Sequence, residues 1–168
     1  KQKTAYEIPK RDWSSDVCSS DLGKRGGVFV DIGAYDGEKF SNSLFFERTM
    51  GWTGLCVEPL EAAFAKLKRT RRAICEETGV ADFEGEAEFI EADDIAGPDE
   101  KMLSGLASKF DPRDSARMAR TAKTSRRVPV TRLNTLLEKH GLYAVDYCSI
   151  DVEGAELAVL SEFRSEEH

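Results

Sequence analysis

The sequence has no long hydrophobic run, no excess of positive charge and no regular cysteine spacing. A membrane-spanning helix needs about 20 consecutive apolar residues, so we predict no membrane span. The formal net charge of -7 argues against a nucleic-acid-binding protein, because such proteins hold phosphates with clustered Lys and Arg. The four cysteines lack metal-ligand or disulfide spacing, which excludes a disulfide-stabilised secreted scaffold and a zinc site.

What is present is an ordinary globular composition. Charged residues make up 33% and hydrophobic residues 40% of the 168 residues, which excludes collagenous, coiled-coil and mostly disordered chains. Cys56, Cys75 and Cys148 are flanked by apolar residues, and we predict that they are buried, reduced thiols. Reduced thiols are typical of a cytoplasmic protein, which is the location we predict.

Two segments match a sequencing adapter rather than a natural protein. Asp12–Leu22 (DWSSDVCSSDL) is the translation of a standard short-read adapter, and Arg164–His168 is the translation of the reverse complement of its other end. Two matches to opposite strands of one oligonucleotide are hard to attribute to chance, so we interpret both as assembly artefacts. We assign residues 1–22 to a non-domain segment, 23–163 to one domain truncated at its C-terminus, and 164–168 to artefact.

The remaining sequence alternates strand and helix patterns. We predict strands at Val28–Ile32, Gly54–Glu58, Ala73–Cys75, Val80–Phe83, Glu86–Ile90, Val128–Arg132 and Val145–Val152, and helices at Lys39–Met50, Leu60–Arg69, Leu133–His140 and from Gly154 to Phe163. This alternation predicts an α/β fold with βαβ units and a mostly parallel sheet flanked by helices. We predict that the fourth and fifth of these strands form a strand pair or hairpin. Residues 92–126 are predicted to be a long loop with one or two short helices.

The first predicted strand leads into a glycine-containing loop, D-I-G-A-Y-D-G, that starts at Asp31. Gly33 and Gly37 allow a tight turn and a close approach of the backbone to a ligand. The loop lacks the G-x-G-x-x-G pattern that makes room for a pyrophosphate, which disfavours a nicotinamide dehydrogenase. A carboxylate at the strand end also disfavours a phosphate and suits a cationic ligand.

Two further strands end in acidic residues, and ligands of parallel sheets lie at such ends. Glu58 can accept the hydroxyl protons of a ribose, although it could also be an exposed residue beside Pro59. Asp151 and Glu153 lie on one side of the last strand, where they serve a ligand or merely cap the following helix. The three acidic ends fit S-adenosylmethionine, because its sulfonium favours nearby carboxylates and excludes nearby Arg or Lys.

The segments that carry these features resemble the FkbM family of S-adenosylmethionine-dependent methyltransferases. They are GVFVDIGAYDGEKFSNSLFFERTMGWTGLCVEP, VTRLNTLLEKHG and DYCSIDVEGAELAVL, and the resemblance covers nearly all of residues 23–163. It implies a class I methyltransferase fold, which is Rossmann-like, and O-methylation of a hydroxyl group. Sugars of glycans, lipopolysaccharide and secondary metabolites are the acceptors that this resemblance implies.

The resemblance also implies roles for individual residues. The methionine part of the cofactor would be wrapped by the loop residues Asp31, Gly33, Ala34, Tyr35 and Gly37, with Ser41 and Asn42 beside them. Glu58 would hold the ribose, and Ala81 and Asp82 would lie near the adenine. Asp151 and Glu153 would face the transferred methyl group, and one of them would orient or deprotonate the acceptor. An equally open role for Glu153 is to orient the loop as a neutral group.

Two further segments, one histidine and a possible metal site are less specific indicators of function. Lys101–Leu106 is predicted to belong to an acceptor or lid loop, and Arg113–Arg127 either meets an acidic sugar or forms a solvated charged face. His140 is predicted to have a structural role at a helix C-terminus. Nothing in the sequence requires a metal, although Asp151, Glu153 and a third acid could hold one. Because the class I fold continues with further strands, the alternative is an inactive or cofactor-binding-only fragment.

Overall fold

The computed structural model describes residues 25–92, 104–106 and 123–152, together with residues 156 and 159. Both adapter-like segments lie outside these residues, as do Glu153, the start of the predicted acceptor loop and most of the arginine-rich stretch. None of the helices within the described ranges has the length and apolar character needed to cross a bilayer.

A parallel sheet of four strands, sheet A, forms one half of the described structure. Its strands are β1 (Val28–Ile32), β2 (Thr53–Val57), β3 (Ile74–Glu76) and β8 (Tyr147–Ile150), and they lie in the order β3-β2-β1-β8. Helices α1 (Leu44–Arg48) and α2 (Glu61–Thr70) follow β1 and β2. The predicted parallel sheet with intervening helices is therefore present.

Sheet A is covered on both faces. On one face Phe29 and Cys56 pack with Phe46 of α1 and Leu67 of α2. On the opposite face an apolar cluster joins residues of β1 and β2 to residues from later in the chain. Its members are Val30, Ile32, Leu55, Val57, Val80, Leu133, Leu136 and Val159. Because successive strand residues point to opposite faces, apolar strands of this kind are buried on both sides.

A second sheet, sheet B, is mixed and mainly antiparallel. It has the strand order β4-β7-β5-β6, with β4 (Gly79–Val80), β5 (Gly85–Ala92), β6 (Ser104–Leu106) and β7 (Lys123–Thr131). Strand β7 pairs antiparallel with β5 and parallel with β4. Helix α3 (Leu133–Lys139) follows β7 directly. The description of one mostly parallel sheet therefore fits sheet A but not sheet B.

Two predictions about the segment that forms sheet B are wrong. Strands β4 and β5 do not form a hairpin, because β7 lies between them and pairs with both. The segment from 92 to 126 is not a loop throughout, because Ser104–Leu106 and the first residues of β7 pair with β5. The predicted strand that starts at Val128 is present, but β7 begins five residues earlier. Its polar first part, KTSRR, was not predicted, since only Val128 and Val130 among the described side chains of β7 are buried.

The predicted helix Lys39–Met50 is also shorter than expected, because it begins only at Leu44. The Asp36 carboxylate accepts hydrogen bonds from the backbone N–H groups of Glu38 and Lys39, at 3.1 and 2.9 Å. Phe40 has a left-handed backbone with φ of 56°. Side-chain bonds of this kind compete with helical hydrogen bonds, so residues 36–43 form a turn-rich loop instead.

Candidate active site

The loop after β1 is held against the ends of two neighbouring strands. The N–H groups of Gly33 and Ala34 both donate to the carbonyl of Val57 at the end of β2, at 3.0 Å. Asp151, which follows β8, donates its N–H to the carbonyl of Ile32 at 2.9 Å. The loop that we predicted to contact a cofactor therefore lies at the carboxyl edge of sheet A, where ligands of such sheets bind.

Gly33 is required at this edge for two reasons. Its φ of 82° is left-handed, a conformation that residues with a Cβ rarely adopt. A Cβ at this position would lie 2.0 Å from the carbonyl oxygen of Asp151. The structure thus brings Gly33 and Asp151 together, and any side chain at residue 33 would force the loop away from the end of β8.

Asp31 is the most buried of the predicted acidic residues. It is 4% exposed, accepts a hydrogen bond from the Ser43 hydroxyl, and lies 3.9 Å from the Arg71 guanidinium. Burial raises the pKa of Asp31 and the charge of Asp151 adds to this rise, whereas Ser43, Arg71 and Ser41 oppose it. Asp31 is therefore a carboxyl whose charge depends on these few partners.

Glu58 is buried as well and is joined to the loop. One oxygen of its carboxylate accepts the N–H of Tyr35 at 2.9 Å, and the other accepts the N–H of Leu60, also at 2.9 Å. The interpretation of Glu58 as an exposed residue is wrong, since it is only 5% exposed. Two backbone bonds fix its carboxylate at the end of β2, in contact with the loop that starts at Asp31.

The segment from Ser41 to Ser43 lies across the neighbouring strands. Asn42 donates from its side-chain amide to the Ser149 hydroxyl at 3.2 Å, and Ser43 bonds to Asp31. Ser149 and Asp31 are partners in the register of β8 and β1. Asn42 therefore contacts β8, next to the strand that contains Asp31, and the role predicted for Ser41 and Asn42 beside the cofactor stays a prediction.

Ala81 and Asp82, the residues predicted to lie near the adenine, directly follow strand β4 of sheet B. Ala81 is 1% exposed and donates its N–H to the carbonyl of Thr131 at 3.0 Å. It belongs to an apolar cluster with Leu60, against which Tyr35 packs. Ala81 therefore shares an apolar cluster with the loop, whereas Asp82 is half-buried beside it.

Asp151 is exposed directly after β8, which ends earlier than the predicted strand. Its side chain is near enough to Asp31 to influence the pKa of that residue. Glu153, the second predicted catalytic residue, lies outside the described residues. Among the residues that the structure describes, no three His, Cys, Asp or Glu side chains are grouped so that they could hold a metal ion.

The sequence analysis missed a buried arginine at this edge. We expected the site to exclude Arg and Lys, but Arg71 lies against Asp31 and also donates to the Glu47 carboxylate at 3.0 Å. Arg71 occurs in a basic run, KLKRTRR, which is typical of a solvated helix end. Two carboxyl groups flank this single guanidinium, so with both ionised the cluster has a net negative charge, which favours a cationic ligand.

The cysteines of sheet A provide no nucleophile for this site. Cys56, Cys75 and Cys148 are free thiols, and Cys56 is fully buried while the other two are half-buried. Burial raises the pKa of Cys56 and raises that of Cys148 to about 11. The prediction of free thiols is confirmed, whereas the prediction of burial is correct for Cys56 and wrong for Cys75 and Cys148. Thiols with raised pKa values are inert as nucleophiles near neutral pH.

Comparisons with known proteins agree with this geometry at the level of family. The model of the Methyltransferase FkbM domain matches residues 31–168, which is most of the chain. No curated protein and no solved structure matches the chain significantly.

Proposed function

Because the chain belongs to the FkbM methyltransferase family, we propose that it transfers a methyl group from S-adenosylmethionine to a hydroxyl group. The proposed acceptor is a sugar, a glycan or a secondary metabolite. S-adenosylmethionine, when bound, supplies an electrophilic methyl group on a positively charged sulfur. The protein has to bind this donor, hold the acceptor in line with it, and stabilise the charge that moves.

The observation that carries the proposal is the connection of three acidic strand ends by one loop. Asp31 begins the loop, Asp151 contacts it at Gly33, and Glu58 accepts the N–H of Tyr35 within it. Groups held by backbone hydrogen bonds are positioned before a ligand arrives, which lowers the entropic cost of binding. A cation with a polar and an apolar end fits this edge better than a phosphate does.

In this proposal each part of the edge has a distinct role. The loop from Asp31 to Gly37, with Asn42 beside it, holds the methionine part of the donor. The Glu58 carboxylate accepts the ribose hydroxyls, and the apolar cluster around Ala81 and Tyr35 receives the adenine, with Asp82 at its border. A carboxylate with two fixed oxygens is suited to a vicinal diol, because it accepts hydrogen bonds in two directions.

The proposed acceptor-side residue is Asp151. It is exposed, whereas Asp31 is buried, so of these two carboxylates it is the one that an incoming hydroxyl group can reach. There it accepts the hydroxyl proton or orients the hydroxyl oxygen towards the methyl group. Glu153 is proposed to share this role or to orient the loop.

Calorimetric titration of the 168-residue chain with S-adenosylmethionine and with S-adenosylhomocysteine tests the proposal. We expect both to bind, and we expect Glu58→Gln to weaken binding about 10- to 100-fold, because a hydrogen bond to a charged group contributes about 1.5–3 kcal/mol. Glu86→Gln on the exposed part of sheet B is the matched control and should bind as the unchanged chain does. Absence of binding to the unchanged chain would refute the proposed cofactor.

Transfer itself is measured with S-adenosylmethionine labelled in its methyl group and a panel of hydroxyl acceptors. We expect Asp151→Asn to lower the transfer rate while cofactor affinity changes much less, because Asp151 acts on the acceptor. An equal loss of affinity and rate would place Asp151 in cofactor binding alone.

A further inference from the structure

Arg71 is buried in a position where arginine is uncommon. It follows the last turn of α2, and its side chain has no exposed surface. Charged side chains are seldom fully buried unless they are paired. Its guanidinium also lies over the ring of Phe29 in β1, with the central carbon 5.3 Å from the ring centroid.

The hydrogen bonds of Arg71 reach the loop and the helix that follow β1. Nη1 donates to the carbonyl of Gly37 at 3.3 Å and to the Ser41 hydroxyl at 3.0 Å. Nη2 donates to the Ser43 hydroxyl at 2.8 Å, and Nε donates to Glu47 at 3.0 Å. Only the planar five-donor fork of arginine can make this set of bonds at once.

We propose that Arg71 is a positioning residue, which fixes the backbone of residues 37–43 and keeps Asp31 charged towards the amino group of the bound cofactor. This inference rests on the proposed function, because it assigns the loop to the methionine part of S-adenosylmethionine. Arg71 itself does not contact the cofactor in this proposal. It acts through Asp31, Ser43 and the Gly37 carbonyl.

The backbone conformation of the loop explains why such support is needed. Gly37 has φ of 79°, and Phe40, which is not a glycine, has φ of 56°. A left-handed conformation at a bulky residue is costly and persists only where its surroundings hold it. The bonds of Arg71 to Gly37 and Ser41 hold the chain just before and just after Phe40.

The same guanidinium favours the charged form of Asp31, from which it is 3.9 Å away. Burial raises the pKa of Asp31, and Asp151 acts in the same direction, whereas Ser43, Arg71 and Ser41 lower it. The other titratable groups around it are the neutral thiols of Cys56 and Cys148, together with Glu47, which shares Arg71. Removing Arg71 removes the cation that opposes the rise. Asp31 then binds a proton at a higher pH than before.

The test compares Arg71→Met with Arg69→Met in the full chain. Arg69 lies in the last turn of α2, two residues before Arg71, but it is exposed and its side chain donates to the carbonyl of Ala65 in its own helix. We expect Arg71→Met to weaken S-adenosylmethionine binding about 100-fold, as expected for a misplaced binding group, and Arg69→Met to leave it unchanged. Binding by Arg71→Met within twofold of the unchanged chain would overturn the inference.

A pH series separates positioning from a general loss of structure. In Arg71→Met we expect affinity to begin to fall at a higher pH than in the unchanged chain, because without the guanidinium Asp31 binds a proton at a higher pH. The double variant Arg71→Met/Asp31→Asn should lose this dependence. Arg71→Lys should restore the pH profile, since it returns the charge, but not the full affinity, since it lacks the fork. An unchanged pH profile in Arg71→Met would overturn the role of Arg71 towards Asp31.

Hydrogen exchange without cofactor tests the support of residues 37–43 by Arg71 separately from the proposed function. We expect the amides of residues 37–43 to exchange faster in Arg71→Met than in Arg69→Met, while those of β2 keep their protection. If the unchanged chain binds no S-adenosylmethionine, the proposed function fails, and faster exchange still supports Arg71 as the support of this loop. Equal exchange in the two variants would overturn it. Should Arg71→Met not fold, Arg71→Lys, which keeps the charge but cannot make these bonds at once, gives the same comparison.

Discussion

Sheets A and B differ in which of their faces are buried. The last four residues of β1 and of β2 in sheet A are all buried. In β7 of sheet B the described residues before Val128 are exposed, and burial begins at Val128 and alternates from there. Parallel strands in α/β folds are covered by helices on both faces, whereas antiparallel strands can leave one face to water.

This difference decides where the two sheets keep their charged groups. Sheet A has an ion-paired arginine with no exposed side-chain surface at its edge, in contact with the candidate active site. Sheet B has Arg127 and Glu86 paired across exposed strands, at 3.6 Å. A charged side chain in a buried network fixes the positions of the groups around it. A charged side chain in an exposed ion pair is screened by water and contributes little to the free energy of unfolding. Variants in the two sheets can test this distinction directly.

Gly33→Ala should give the largest effect, at the edge of sheet A. The new Cβ would meet the Asp151 carbonyl, and the residue would have to keep a left-handed backbone. Together these should lower the free energy of unfolding by about 2–4 kcal/mol, measured by urea denaturation.

Gly51→Ala is the matched control for Gly33→Ala. Gly51 is left-handed too, with φ of 69°, but no atom lies within 4 Å of the position of its Cβ. The free energy of unfolding of this variant should fall by only about 1–2 kcal/mol, which is the cost of a left-handed backbone at a residue with a Cβ. Equal losses in the two variants would mean that the close approach of Gly33 to the end of β8 contributes nothing.

Glu47→Gln should have the next largest effect. The Glu47 carboxylate accepts bonds from Arg71 Nε and from the N–H groups of Arg72 and Ala73. Replacing it by an amide leaves a buried guanidinium less compensated and should cost about 2–3 kcal/mol at pH 7.

The pH dependence of this loss follows from the pKa of Glu47. Burial raises that pKa, but the bonds from Arg72, Arg71 and Ala73 together outweigh burial and lower it below its ordinary value of 4.5. The stabilisation by Glu47 is therefore complete above about pH 5 and disappears as the pH falls through the lowered value. Unfolding free energies of both proteins, measured between pH 7 and pH 3, should converge at the acid end. A constant difference would contradict the assignment.

The same contrast explains how much the sequence could predict. Strands β1 and β2 are short apolar runs closed by Gly33 and Pro59, and the positions of all four strands of sheet A were predicted within a few residues. Much of sheet B consists of residues such as those of KTSRR, which have no apolar period because that half of the strand is exposed. These residues form a strand because they pair with β5 across a long sequence separation, and no local pattern reports that pairing.

The candidate site divides in a similar way. Asp31, Gly33 and Glu58 lie at or next to strand ends. A strand pattern that ends in an acidic residue was therefore enough to identify them as candidate site residues. Arg71 and Glu47 were missed because their importance depends on tertiary contacts. Each lies on or beside a helix among other charged residues, where sequence alone cannot tell a buried charge from a solvated one.

Glu76→Gln should have a smaller effect at the junction between the sheets. Glu76 ends β3, and its carboxylate lies 2.7 Å from Lys139 Nζ and 2.6 Å from His140 Nε2, at the end of α3. His140 thus has the structural position that the sequence predicts. Since Lys139 is half exposed, we expect a loss of only about 1 kcal/mol.

The acid dependence of the Glu76 contact has the same sign as that of Glu47. Burial opposes ionisation, but the bonds from Lys139 and His140 lower the pKa of Glu76 below 4.5. Its contribution should therefore be present at pH 6 and be lost as the pH falls below about 4.5. Thermal melting of Glu76→Gln and of the unchanged chain at these pH values measures it. A difference that grows on acidification would refute the assignment.

The exposed pair of Glu86 and Arg127 should give the smallest effect. Both side chains are more than half exposed, so water and salt screen their attraction and each must lose rotamer freedom to pair. A double-mutant cycle with Glu86→Gln and Arg127→Met should give a coupling of no more than about 0.5 kcal/mol, which vanishes in 1 M salt. A coupling as large as that between Glu47 and Arg71 would show that burial does not set the strength of ion pairs in this protein. The contrast between the two sheets would then need another cause.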